Sequence, residues 1–168
     1  MNSPFVAILM GSDSDLPTLQ GTVDVLKLFG VRFEIKISSA HRTPQATHDY
    51  VLDAQQRGCA VFICAAGLAA HLAGAVAALT VRPVIGVPME AGPLSGLDAL
   101  LSTVQMPGGV PVATVAIGSA GAKNAAYLAV QILALADNAL AAALVKDRAD
   151  SARKIATKDA ALQQQFTP

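Results

Sequence analysis

Of the side chains able to do chemistry, His41 and Arg42 are the most tightly placed, between Ser38-Ser39-Ala40 and Thr43-Pro44. Thr43 followed by Pro44 reads as the N-cap and first residue of a helix, because the hydroxyl can satisfy an orphan N–H and proline needs no N–H bond there. His41 and Arg42 then lie on the lip of a strand-to-helix turn. An arginine gains nothing from the positive end of a helix dipole, so its place makes sense when an anion such as a phosphate sits between them. The imidazole beside it can exchange a proton near neutral pH, which turns an anion site into a candidate reaction site.

Two further loops carry polar residues out of keeping with apolar neighbours. In Gly11-Ser12-Asp13-Ser14-Asp15 the hydroxyls and carboxylates suit a helix N-terminus without any further role. His71, set among Ala and Gly, either hydrogen-bonds a backbone carbonyl or shapes a pocket. His48 falls inside the second predicted helix, seven residues from His41, and reads as an ordinary helix-face residue. The three histidines lack zinc-ligand spacing, and no Gly-x-Ser-x-Gly, Gly-x-Gly-x-x-Gly after the first strand, or phosphate-binding Gly-x-x-x-x-Gly-Lys-Ser/Thr occurs. Gly118 to Gly121 is too weak a spacing to revive dinucleotide binding.

The elements around these loops alternate. Residues 5–10 form a continuous apolar run ending at Gly11, the pattern of a strand covered on both faces. A helix follows to about Phe29, with Leu19, Val23, Val25 and Leu26 as its buried stripe and Gly30 as its stop. Residues 31–37 alternate apolar with charged and read as a strand near the sheet edge. A second helix runs from Pro44 to about Arg57, and residues 59–65 form another buried strand. A small-residue helix ends near Leu79, and residues 83–88 give a fourth strand. Residues 88–111 hold four of the nine prolines and a short helix over 95–104, and act either as a cover or as a subunit contact. Residues 112–117 are a fifth strand, leading through Gly118-Ser119-Ala120-Gly121 to a helix ending near Ala136. Asp137 or Asn138 caps a last helix to about Leu162.

Strands alternating with helices require right-handed crossovers, so the expected fold is α/β: a three-layer flavodoxin-like or Rossmann-like sandwich with a central parallel five-stranded sheet and a C-terminal helical arm. Ligands of such sheets collect at the carboxyl ends of the strands, where the three polar loops converge. Residues 1–136 form the α/β domain and 137–168 the arm. Eight of the twenty-four charges fall between Lys146 and Asp159, yet Leu140, Leu144, Ile155 and Leu162 recur, which suits an arm on a neighbouring subunit or a solvated tail.

Composition narrows the partners. Charged residues are 14% and hydrophobic ones 53% of the chain, more apolar surface than one small monomer buries, which implies subunit contacts. Twelve basic and twelve acidic residues cancel, leaving no footprint for nucleic acid or an anionic membrane. No apolar run reaches the ~20 residues that span a bilayer. Met1-Asn2-Ser3-Pro4 opens no secretory signal, so a soluble cytoplasmic protein is expected, with Cys59 and Cys64 buried and reduced.

Five stretches together resemble one family: Gly11-Ser12-Asp13-Ser14-Asp15, Ser39-Ala40-His41-Arg42-Thr43-Pro44, Ala69-Ala70-His71-Leu72, Val104-Gln105-Met106-Pro107-Gly108-Gly109 and Ala116-Ile117-Gly118. In order and in kind they are similar to the class I PurE family, the N5-carboxyaminoimidazole ribonucleotide mutases of purine biosynthesis. The resemblance implies a homo-octamer, no metal or organic cofactor, and a small ribonucleotide substrate. It sets the catalytic histidine at His41 and substrate binding at Ser12, Asp15 and Arg42, with Ser14, Ser39 and His71 in the same pocket. A related branch, the carboxylases that use free carbon dioxide, typically has lysine after that histidine, and Arg42 favours the mutase. Leu68 and Ala73 stand where glycine and proline are usual, which bears on the shape of the third loop. Besides the carboxylase, the rival reading is a ribonucleotide-binding protein without chemistry.

The implied reaction moves a carboxyl group from an exocyclic nitrogen to carbon 4 of an aminoimidazole ring. One proton is needed when carbon dioxide leaves and one is released when it is recaptured. An imidazole, with a reference pKa of ~6.5, can serve both halves. Carbon dioxide must meanwhile be held in a closed pocket, for which the small residues around His71 and the 88–111 segment are suited.

Overall fold

The computed structural model describes residues 4–166. The reading of the chain start as lacking a signal rests on residues 1–3, which lie outside them. Five parallel strands, β1 (Phe5–Met10), β2 (Phe33–Ile37), β3 (Cys59–Ala66), β4 (Val84–Pro88) and β5 (Ala113–Thr114), form one sheet in the order β2-β1-β3-β4-β5. That order is the flavodoxin-like one, with β2 at the expected edge. Helices α1 (Leu16–Leu28), α2 (Pro44–Gln56), α3 (Leu72–Ala77) and α4 (Leu97–Val104) make the crossovers, and α5 (Gly118–Ala134) and α6 (Asn138–Phe166) follow the last strand.

Every residue of β1 is buried, because a parallel strand with helices on both faces has no wet side. On one face Phe5, Ala7, Leu9, Phe62 and Cys64 pack with Val51 and Ala54 of α2 and with Leu72, Ala73 and Val76 of α3. Alternation sends Val6, Ile8 and Ile63 to the other face, which α1 and α5 cover. Thr22 of α1 donates its hydroxyl proton to the Ala122 carbonyl of α5 at 2.7 Å and ties those two helices together. Gly86 is required in β4: a Cβ there would stand 2.3 Å from Thr103 Cγ2 of α4.

The register positions the site. Met10 pairs with Ile37 on one side and Ala65 on the other, and Ala65 with Val87, so β1, β2, β3 and β4 end along one row. The loops beginning at Gly11, Ser38, Gly67 and Met89 leave from that row together. Cys59 and Cys64 are free and buried, and burial pushes the Cys64 thiol well above its usual range.

Several boundaries differ from expectation, among them the start of β2 at Phe33 rather than Val31 and the end of α3 at Ala77 rather than near Leu79. The fifth strand keeps only two residues, beginning two positions after Pro111, although Val115 N–H still donates to Gly86 O at 3.0 Å. The 88–111 helix starts at Leu97 rather than Ser95, since Ser95 and Gly96 both have positive φ, 48° and 85°. The last helix runs past Leu162 to Phe166.

The chain divides into two compact units, residues 1–132 and 133–168. Within the second, Asp137 Oδ1 accepts from Ala139 N–H (2.9 Å) and Leu140 N–H (3.1 Å), so Asp137 is the cap. At ~1.5 Å per residue α6 is about 43 Å long. None of its residues is buried, and Val145, Ile155, Leu162 and Phe166 are exposed. No helix among the described residues is long and apolar enough to cross a membrane.

Candidate active site

A cleft of about 410 Å³ opens where the first three strands end. Gly11, Ser12, Asp15, Ser39, Ala40, His41 and Arg42 line one side, and Ala66, Gly67, Leu68, Ala69, His71, Leu72 and Ala91 the other. One half is therefore polar and able to donate hydrogen bonds, while the other is built of small and aliphatic side chains around one imidazole.

The first loop is a single 3-10 turn, Asp13–Asp15, closed by Ser12. Ser12 Oγ accepts from Ser14 N–H at 3.3 Å, and Ser12 N–H donates to Asp15 Oδ2 at 3.2 Å, both halves of a capping box. Capping is thus a real role of these residues, and Ser12 and Asp15 also face the cleft. Ser14 stands behind Ser12, donating its hydroxyl proton to Ser12 Oγ at 2.9 Å, and does not line the cavity. Burial raises the Asp15 pKa, with the Ser12 N–H opposing and nearby Asp13 reinforcing the shift.

The second loop is anchored below by buried Ser38, whose hydroxyl shares a 2.6 Å hydrogen bond with Thr47 of α2. Thr43 occupies the N-cap position and Pro44 opens the helix, yet the Thr43 hydroxyl caps nothing. It turns back instead, accepting from Ser39 N–H and donating to the Ser39 carbonyl, each at 3.1 Å. The expected cap bond is replaced by a clamp that closes the 39–43 loop. Ser39 Oγ in turn accepts from the Arg42 N–H at 3.1 Å and from Arg42 Nε at 3.4 Å. Arg42 Nη2 donates to the Gly11 carbonyl at 3.2 Å, bridging the second loop to the first. A guanidinium has five N–H donors, so this bridge leaves others for an anion.

His41 Nε2 lies 2.8 Å from His71 Nδ1, and the rings meet edge to face, centroids 5.0 Å apart at 82°. His71 ends the third loop just before α3, so its partner is a side chain rather than a backbone carbonyl. His48 lies outside the cleft on the exposed face of α2, with Nδ1 3.1 Å from Asp49 Oδ1. Among the described residues no group of three or more His, Cys, Asp or Glu could hold a metal ion.

The third loop carries the departures noted in the sequence. Leu68 has φ 55°, a left-handed conformation unusual for leucine, and Ala73 is buried in α3. Leu68 and Ala91 are cleft residues that the sequence reading did not single out as such. Their only signal was position: each lies just past the end of a strand.

A family model described as AIR carboxylase matches residues 5–154. The chain is 52% identical over 155 residues to N5-carboxyaminoimidazole ribonucleotide mutase of Pyrococcus horikoshii, covering 92% of this chain and 86% of the relative. It is 59% identical over 132 residues to the Synechocystis protein of that name, covering 79% and 74%. For the Mycobacterium tuberculosis protein of the same name the figures are 51% over 160 residues, covering 95% and 91%. The solved structure of Treponema denticola PurE superposes with a TM-score of 0.85 at 31% identity, covering 95% of this chain and 99% of that one.

Proposed function

Since the chain belongs to the AIR carboxylase family, we propose that it acts as an N5-carboxyaminoimidazole ribonucleotide mutase, an isomerase of purine biosynthesis. The observation that carries the chemistry is the 2.8 Å contact between His41 and His71 on the border between the polar and apolar halves of the cleft.

In the first half-reaction the N–C bond of the carbamate breaks and its electron pair returns to nitrogen, which takes a proton from His41. Aminoimidazole ribonucleotide and carbon dioxide result. Carbon 4 then attacks carbon dioxide, a C–C bond forms, and the proton displaced from carbon 4 goes to His41. No proton is gained or lost overall, so one imidazole closes the cycle.

His71 decides which nitrogen of His41 works. When His41 is protonated, Nε2–H donates to His71 Nδ1 and Nδ1–H faces the substrate. When His41 has given up its proton, the bond to His71 keeps hydrogen on Nε2 and leaves Nδ1 ready to accept. His71 is thus a positioning residue that holds one tautomer.

Arg42, Ser39 and the first loop grip the phosphate, while Asp15 suits the ribose hydroxyls because a phosphate would repel it. Ser14 supports this set by orienting Ser12. The small residues of the third loop and Ala91 wall in the carbon dioxide. The enzyme works in the cytoplasm as a homo-octamer, without a metal or organic cofactor. Residues 137–168 form its arm on a neighbouring subunit, a reading supported by the exposed apolar side chains of α6.

The test is an ultraviolet assay of N5-carboxyaminoimidazole ribonucleotide conversion, with a parallel assay supplying aminoimidazole ribonucleotide and bicarbonate. Faster product formation by the second route would assign the carboxylase reaction instead.

A further inference from the structure

Val104-Gln105-Met106-Pro107-Gly108-Gly109 is one of the five stretches that carry the family resemblance, yet none of its residues lines the cleft of its own chain. Its methionine instead meets α3, the helix that His71 precedes. A Cβ on Gly74 would stand 3.2 Å from Met106 Sδ and 3.5 Å from Met106 Cε, so the thioether end lies against bare helix backbone. Glycine inside a helix is unfavourable relative to alanine, and in a helix of only six residues packing has to offset that cost. Contact with Met106 does so, and methionine, unbranched and polarisable, suits an irregular gap beside backbone.

Gly74 stands three residues after His71, on the same side of the turn, and the His71 carbonyl accepts from Ala75 N–H at 2.9 Å, so the imidazole moves with α3. Little within the helix start fixes it. The His71 side chain makes no cap bond, and Ala73 leaves free the φ that a proline would hold. Ala73 Cβ lies 3.4 Å from where a Cβ on Gly86 of β4 would stand, which sets the height of α3 over the sheet. Met106, just past the end of α4, bounds the helix at a second point.

We propose that Met106 is a positioning residue for the carboxyl transfer, seating α3 through Gly74 so that His71 Nδ1 stays within hydrogen-bond reach of His41 Nε2. This rests on the mutase reading above. The two ring nitrogens are 2.8 Å apart, and a displacement of about 0.5 Å would already carry them past the ordinary range of a hydrogen bond. A contact one turn along the helix is therefore close enough to decide whether His71 holds the working tautomer of His41.

The experiment combines steady-state kinetics with nitrogen-15 spectra of the full-length enzyme labelled only at histidine. Met106→Val, whose side chain ends short of Gly74, and Met106→Ala each lower kcat roughly threefold or more while KM stays within about twofold. Met106→Leu, whose Cδ atoms reach as far as the sulfur did, restores kcat. In a His71→Ala background the same substitutions change kcat no further, because the ring to be positioned is gone. In the spectra Met106→Val shifts the ring nitrogens of His41 and His71 and leaves those of His48, outside the cleft, in place. Unshifted His41 and His71 resonances in Met106→Val overturn the proposal, and so does an equal fractional loss of kcat in the two backgrounds, the mark of a merely structural side chain. The spectra require no turnover, so a wild type that converts no substrate overturns the mutase reading instead.

Discussion

His41 and His71, thirty residues apart in the chain, share a 2.8 Å contact between Nε2 of the first ring and Nδ1 of the second, with the ring planes at 82°. A hydrogen bond between two imidazoles needs one protonated and one bare nitrogen, so each ring constrains the tautomer of the other. The pair joins the loop after β2 to the loop after β3 across the end of β1, and both rings line the cleft.

His41→Asn removes the shuttle and nothing else that the ribonucleotide touches. Turnover falls to background, while nucleotide affinity changes by less than about tenfold, a loss of no more than ~1.4 kcal/mol. Isothermal titration beside the ultraviolet assay checks both parts, and substantial residual turnover removes His41 from its role.

His71→Ala frees the His41 ring, and a misdirected general acid costs about tenfold or more in kcat with KM nearly unchanged. His71→Asn places an amide oxygen near the former Nδ1 and recovers part of that loss. Equal kcat for the two variants would show that the hydrogen bond to His41 is idle.

Arg42→Lys keeps the charge and loses the planar fork that reaches Ser39 Oγ and the Gly11 carbonyl. KM for the ribonucleotide rises about tenfold, as expected for ~1.4 kcal/mol of lost phosphate binding. A substrate analogue without its phosphate discriminates: it binds the wild type and Arg42→Lys equally, and a persisting difference would place Arg42 elsewhere on the substrate.

Asp15 holds its proton more tightly folded than unfolded, because burial raises its pKa from the ordinary 3.8. Folding takes up a proton between those two values, so stability falls as pH rises through that window, and the ionised group is a cost at neutral pH. Asp15→Asn keeps an oxygen for Ser12 N–H and melts higher than the wild type at neutral pH, at the expense of substrate affinity. The advantage shrinks as pH drops through the folded pKa. Melting curves from about pH 3 to about pH 8 check the sign, and a gap that does not change with pH would place its origin outside Asp15 ionisation.

Truncation after Asp137 removes α6, on which Val145, Ile155, Leu162 and Phe166 are exposed. Sedimentation velocity should show a smaller assembly than the full chain forms. An unchanged sedimentation coefficient, corrected for the lost mass, would mark the helix as a solvated tail.

The order and type of the elements were legible in the chain because each is a local matter. A buried parallel strand must be apolar throughout, as residues 5–10 are, and Gly30 and Gly58, both left-handed, mark helix ends through backbone geometry that a single residue sets. Polar residues among small apolar ones likewise marked the three loops, since strand ends in such a sheet are where backbone and side chains meet solvent. Contacts between those loops could not be read locally. Whether His71 meets a carbonyl or His41, whether the Thr43 hydroxyl caps its helix or returns to Ser39, and that Leu68 lies on Gly92 all depend on register. Met10 opposite both Ile37 and Ala65 sets three loops level, and only long-range pairing of strands far apart in sequence fixes that alignment.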